Sequence, residues 1–182
     1  MEVILGLGSN CPYKGKGSVE LLSIAVKLLS DFVSDIRISS VYETKPMYVL
    51  SQDNFFNAVL RGNVSDEFSP LALLEKIHQV EASLGRDRSK EIRFGPRTID
   101  IDIEKLGNLQ MDTEILTIPH PRIKERAFVL IPLLEILSES ADEKIREKCR
   151  VWLSELPDEG VVKSPEQMQL LFSNWKEADC SL

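Results

Sequence analysis

Thr98-Ile99-Asp100-Ile101-Asp102-Ile103-Glu104-Lys105-Leu106 has the alternation of a β-strand with one buried face. Ile99, Ile101 and Ile103 turn to a core. Asp100 and Asp102 then share the opposite face, roughly 7 Å apart, so two hard carboxylate ligands converge on one place. Upstream, Ser69-Pro70 is an N-cap with proline at the first helical position, and Gly85 stands where that helix would stop. Leu73, Ile77, Val80 and Leu84 form its buried stripe. Earlier still, Val3 to Leu7 reads as a buried strand ending at a glycine corner, and Ser18 to Phe32 has helical spacing. Ile36 to Thr44 is strand-like, with its alternation slipping at Ser39-Ser40 as a bulge would make it, and Phe55 to Asn63 reads as its partner. Strand, helix, strand, strand, helix, strand is the order of a ferredoxin-like βαββαβ unit, an α+β fold with an antiparallel sheet. Beyond it, Leu116 to Pro121 reads as extended, Arg126 to Leu137 as helical around Pro132, and the stretches from Ala141 and from Pro165 as terminal helices. The expected organisation is a domain over 1–140 with a C-terminal helical extension over 141–182 packed on it.

The whole chain, 182 residues with 43% apolar and 28% charged side chains, is large enough for one real core and too small for two full domains. Its net charge of −7 argues against a nucleic-acid or anionic-membrane binder working by bulk charge. Any phosphate site must be local. Cys11, Cys149 and Cys180 are too few and too scattered for a disulfide framework or zinc cage, which points to a reducing, cytoplasmic setting. The first residues lack the features of a signal peptide, and the longest apolar run, Phe128 to Leu137, is too short to span a bilayer.

The local charge is found beside the aspartates. Arg86, Arg88, Lys90, Arg93 and Arg97 oppose only Asp87 and Glu91. Guanidinium groups match phosphate oxygens bidentately, and arginines aimed at developing negative charge recur in phosphoryl transfer. Gly95-Pro96 fixes the backbone from which Arg97 leaves. An isolated Asp-x-Asp is more often a solvated strand face, and a charged loop more often a solubilising one; their adjacency makes the case for a magnesium and phosphate site. His120, between Pro119 and Pro121 and followed by Arg126, reads equally as a phosphate hydrogen-bond donor or as a packed turn residue. His78 reads as a boundary packing residue. Gly6-Leu7-Gly8 lacks the third glycine of a dinucleotide fingerprint, and Gly15-Lys16-Gly17-Ser18 is no Walker A.

Gly6-Leu7-Gly8-Ser9-Asn10, Glu81-x-x-Leu84-Gly85-Arg86-x-Arg88, Gly95-Pro96-Arg97-Thr98-Ile99-Asp100-Ile101-Asp102 and Ile118-Pro119-His120-Pro121-Arg122, with Arg126 and Phe128 beyond, occur in one order. Together they resemble the 6-hydroxymethyl-7,8-dihydropterin pyrophosphokinases of folate biosynthesis, from about residue 3 to residue 136. The resemblance implies transfer of pyrophosphate from ATP to the pterin's hydroxymethyl oxygen, with release of AMP. Asp100 and Asp102 would bind two magnesium ions; Arg86 and Arg97 would stabilise the transferring group. Arg88, Arg97, His120 and Arg126 would hold ATP, and Thr44, Pro46, Phe55, Asn57, Phe94 and Phe128 the pterin. The loops from Lys45 to Asn54 and from Arg86 to Phe94 would act as lids. Phe94 stands where the family usually has tryptophan, and Lys45-Pro46-Met47-Tyr48 replaces a two-proline loop start. The expected partners are these two small molecules, without nucleic acid or membrane, and the expected state is a monomer or a weak homo-oligomer. The competing class is a ferredoxin-like module that binds nucleotide or RNA without turnover.

Overall fold

The computed structural model describes residues 1–46, 51–89 and 95–164. The elements run β1 (Glu2–Ser9), α1 (Ser18–Leu29), β2 (Ser34–Ile38), β3 (Tyr42–Thr44), β4 (Phe55–Asn63), α2 (Pro70–Ser83), β5 (Asp100–Leu106), β6 (Met111–Asp112), β7 (Thr117–Ile118), α3 (Ala127–Ile136), α4 (Glu143–Glu155) and β8 (Val162–Lys163). A 3-10 turn over Ile123–Glu125 leads into α3. β1 pairs antiparallel with both β5 and β4, while β2 and β3 both pair with β4. The resulting order, fourth strand, first, third, second, is that of the ferredoxin-like unit. β8 adds a further antiparallel strand beyond β3.

The stretch expected as one bulged strand is two strands. Ser39 and Ser40 are fully buried at the break. The Ser39 hydroxyl accepts the Val59 N–H at 2.9 Å, and the Ser40 N–H and hydroxyl both donate to Glu135 of α3. Local hydroxyl chemistry thus replaces the ladder for two residues and fastens α3 to the sheet. α1 ends at Leu29, short of Phe32, and β5 begins at Asp100. The predicted helix from Pro165 lies outside the described residues.

The two faces of the sheet are covered differently, and this places the site. On one face Val3, Leu5, Leu7, Leu60, Ile99, Ile101 and Ile103 pack against α1 and α2 in a large core. Each fully buried Leu or Ile there contributes about 1.5–3 kcal/mol. On the other face Ile4 and Val59 meet Val129, Leu130 and Leu133 of α3 and Cys149 of α4. That second layer covers only part of its face, and the alternation of β1, β4 and β5 directs Gly6, Gly8, Asn57, Asp100 and Asp102 to the same side. Among the described residues no helix is long and apolar enough to cross a membrane.

Candidate active site

A cavity of about 370 Å³ opens on the second face. Its walls include Gly6, Gly8, Thr44, Phe55, Asn57, Arg86, Arg88, Arg97, Asp100, Asp102, Glu104, Arg126 and Phe128. Most of the residues expected from sequence therefore meet in one place. His120 and Pro46 are not part of the wall. Pro46 is buried, and His120 is part-buried, its Nδ1 accepting the Arg122 N–H at 3.1 Å. Phe94 lies outside the described residues, as do parts of both expected lids.

The floor is made by absence. A Cβ at Gly8 would lie 3.1 Å from Asn57 Oδ1, and one at Gly6 would lie 3.0 Å from Glu104 Oε1. The two glycines leave room for polar side chains of the neighbouring strands to lie across β1. Asn57 Nδ2 in turn donates to Thr44 Oγ1 at 2.9 Å, tying β4 to the last residue of β3.

Each arginine is aimed by its backbone. Gly85 closes α2 with φ +86°, Gly85 N–H bonds Ala82 O, and Arg86 N–H bonds Glu81 O, which is a Schellman motif. Its geometry returns the Arg86 side chain to α2, where Nη1 bonds both Glu81 Oε1 and Asp100 Oδ1. Arg97 leaves after Gly95-Pro96 and bonds Asp100 Oδ2 at 2.6 Å. Asn10, just past β1, fixes that segment: its Oδ1 accepts the Arg97 N–H at 2.8 Å, while its Nδ2 donates to Gln52 Oε1 and Asp53 O. Arg126, the residue before α3, reaches Asp102 Oδ2 at 2.6 Å and Glu104 Oε1 at 3.3 Å. Its guanidinium lies 5.7 Å from the Phe128 ring centroid.

These charges set the protonation states. Burial alone would raise Asp100, but Arg86 and Arg97 outweigh it and hold the carboxyl below its ordinary value. Burial pushes Glu104 up to about 8 against the opposing pull of Arg126, with Asp102 pushing the same way as burial. Burial also lowers His120, helped by the Arg126 charge, so the imidazole is neutral at pH 7. Burial pushes Glu81 up as well, against Arg86 and Arg88. Glu81 and Glu104, both buried, carry no role in the sequence reading. Glu104 meets Arg126, 22 positions on, and Glu81 meets Arg86 and Arg88 only because the helix end turns them back, so neither pairing is reported by strand or helix spacing.

Among the described residues no cluster of three or more His, Cys, Asp or Glu side chains could hold a metal by itself. Asp100 and Asp102 are a two-carboxylate pair of hard oxygens, 22% and 33% exposed, facing a cavity lined by arginines. That donor set fits magnesium, which usually takes one or two carboxylates and completes its shell with phosphate oxygens and water.

A family model for 7,8-dihydro-6-hydroxymethylpterin-pyrophosphokinase (HPPK) matches residues 4–138. The 2-amino-4-hydroxy-6-hydroxymethyldihydropteridine pyrophosphokinase of Aquifex aeolicus is 39% identical over 134 residues, 74% of this chain and 79% of that protein. Its Bacillus subtilis counterpart is 40% identical over 125 residues, 66% of this chain and 72% of that protein. The mitochondrial folate synthesis bifunctional protein of Pisum sativum is 37% identical over 141 residues, 78% of this chain; the chain spans only 26% of that longer relative. Among solved structures, wild-type HPPK-DHPS of Plasmodium falciparum superposes with a TM-score of 0.56 at 15% identity, over 84% of this chain and 45% of that one. That likeness concerns the fold. By the family match and the two bacterial relatives, the chain belongs to the 7,8-dihydro-6-hydroxymethylpterin-pyrophosphokinase family.

Proposed function

We propose that this chain transfers pyrophosphate from MgATP to the hydroxymethyl group of 6-hydroxymethyl-7,8-dihydropterin, giving AMP and the pterin diphosphate in folate biosynthesis. The observation that carries the reading is the meeting of Asp100 and Asp102 with Arg86, Arg97 and Arg126 in one cavity that also exposes Asn57, Thr44, Phe55 and Phe128. Family membership supports the same reading. In this proposal Asp100 and Asp102 hold two magnesium ions, which when bound neutralise phosphate charge and align the reacting oxygens. Arg86 and Arg97, both paired to Asp100, would stabilise the transferring group. Arg88, Arg126 and His120 hold the remaining ATP phosphates, with neutral His120 donating from Nε2 because Nδ1 is occupied.

On the pterin side, Asn57 and Thr44 supply hydrogen bonds to the ring edge, and Phe128 and Phe55 flank it, with Phe94 and Pro46 closing the pocket. The alcohol needs little activation once held in line with phosphorus, so positioning and electrostatics supply most of the rate. The reading extends to a cytoplasmic monomer with residues 141–182 as an extension of the 1–140 domain. The packing of Cys149 in the core beneath α3 supports that last point.

The experiment is an assay of AMP formation from ATP with and without the hydroxymethylpterin and magnesium. AMP dependent on both is expected. Nucleotide affinity with no AMP at saturating pterin and magnesium would replace the proposal by the binding module without turnover.

A further inference from the structure

Glu104 is a fully buried acid on a wall that an apolar side chain could have filled. Alternation along β5 puts it on the face of Asp100 and Asp102, and a β-bulge leaves it without a partner on β1: Ile4 and Leu5 pair with Lys105 and Ile103, and Glu104 is the extra residue between them. Ile103 stays in the large core, and Glu104, on the opposite face, meets Arg126. Its Oε1 accepts from Arg126 Nη1 at 3.3 Å, and its Oε2 has no hydrogen-bond partner among the described residues. His120 Nδ1 is 4.0 Å from Oε2 but already accepts the Arg122 N–H, so it has no proton to offer. Among the described residues Arg126 is thus the one hydrogen-bond partner of this carboxyl group, and Gly6 provides the space in which it sits.

The same device occurs at the other aspartate. Arg86 Nη1 bridges Asp100 and buried Glu81, as Arg126 Nη1 bridges Asp102 and buried Glu104. In each case a cavity aspartate shares its arginine with a glutamate set further back.

We propose that Glu104 is a positioning residue that tethers Arg126 while the arginine exchanges Asp102 for an ATP phosphate. The proposal rests on the reading of the site given above. Were Asp102 to ligate magnesium, Arg126 would give up its 2.6 Å bond to that carboxylate. The guanidinium has five N–H donors in a fixed fork. With one of them held by Glu104, the fork stays against the cavity wall beside Phe128, and its remaining donors are free to meet phosphate. Without Glu104 the arginine must be ordered anew by each nucleotide, and affinity falls.

The test is a double-mutant cycle read by calorimetry with magnesium and an ATP analogue carrying a methylene between the α- and β-phosphorus atoms. The unmodified chain, Glu104→Leu, Arg126→Ala and the double variant are compared. Glu104→Leu is expected to weaken binding about tenfold, the scale of losing a residue that orients a ligand-binding group. Arg126→Ala should weaken it at least as much, and the double variant no further, because a tether has no effect once its arginine is gone. Glu104→Gln, which keeps an acceptor for Nη1 and nearly the same volume, should recover part of the loss. Binding by Glu104→Leu within twofold of the unmodified chain overturns the tether. So does a double variant whose loss is the product of the two single losses, since that is what general damage to the fold produces. AMP formation by the unmodified chain, measured alongside, judges the proposed reaction separately, because the affinity cycle needs no turnover.

Discussion

Arg61 and Arg126 each bridge two carboxylates on the same face of one sheet, yet the two clusters are built to opposite ends. At Arg61, Nε and Nη2 bond Glu2, and Nη1 and Nη2 bond Asp142; Lys105 adds a bond to Glu2, and the Ser138 N–H adds one to Asp142. The charges are matched and their bonding capacity is used on one another. At the cavity, Glu81, Asp100, Asp102 and Glu104 face Arg86, Arg88, Arg97 and Arg126, but burial keeps Glu104 protonated at neutral pH, so the arginine charge is in excess. There, however, Arg97 Nε and Glu104 Oε2 are buried without hydrogen-bond partners among the described residues, and the carboxylates line a cavity. A saturated cluster can only hold the chain together. One that keeps unused donors beside a cavity can exchange partners with an incoming polyanion, at some cost to the stability of the empty fold.

The largest effect that would break this contrast is at Asp102. Asp102→Asn keeps the shape and removes the charge, and it is expected to lower turnover by ~10³-fold or more, several kcal/mol of transition-state stabilisation. Its melting temperature should not fall, since the residue is a third exposed and supports no core contact. A stable variant with near-normal AMP formation would refute the metal assignment, and a strongly destabilised one would make this cluster structural too.

Arg61→Met is the complementary break. Removing one partner of a largely buried network leaves Asp142 without its arginine and Glu2 with Lys105 alone. A cost of about 2–3 kcal/mol is expected in urea unfolding, below the range for fully buried pairs because Arg61 and Glu2 are 21% and 27% exposed. AMP formation by the folded variant should stay within about threefold of the unmodified chain, the cluster being separate from the cavity wall. A loss of turnover at full stability would erase the distinction between the two ends.

What the sequence could reveal follows the same division between local and distant causes. The face shared by Asp100 and Asp102, the capping of α2 by Ser69 and Pro70, and its stop at Gly85 depend on residues a few positions apart, and alternation or spacing reports them. The element order carried the sheet order with it, since the split βαββαβ path allows few arrangements. β8, by contrast, is two residues long and pairs with Tyr42 and Glu43 more than a hundred positions away, so neither period nor turn chemistry announces it. Glu104 was hidden for another reason. Alternation along β5 places it on the face of Asp100 and Asp102, but its meaning depends on Arg126 and Gly6, on two other segments. His120 illustrates the limit from the other side: its rigid Pro-His-Pro setting was legible, but whether it reaches the cavity wall depends on how β7 and the 3-10 turn pack.

The smallest effect, and the one that sharpens the contrast, is the acid limb of stability. Asp142 lies below its ordinary value of 3.8 chiefly through its bonds to Arg61, against a smaller effect of burial; Glu2 lies below 4.5 because Arg61 and Lys105 outweigh burial. A carboxyl lowered in the folded state binds protons more weakly there than in the unfolded chain, so its contribution is complete above the ordinary value and is lost as pH falls through the lowered one. The urea midpoint of the unmodified chain should therefore drop on acidification below about pH 4.5, and that of Arg61→Met should drop less, because its carboxylates have lost the cation that lowered them. The two chains, well separated at neutral pH, should converge as the pH is taken beneath 3.8. Parallel curves would mean that Arg61 stabilises through the packing of its stem and not through its charge, and the cluster would then be saturated in geometry but idle in electrostatics.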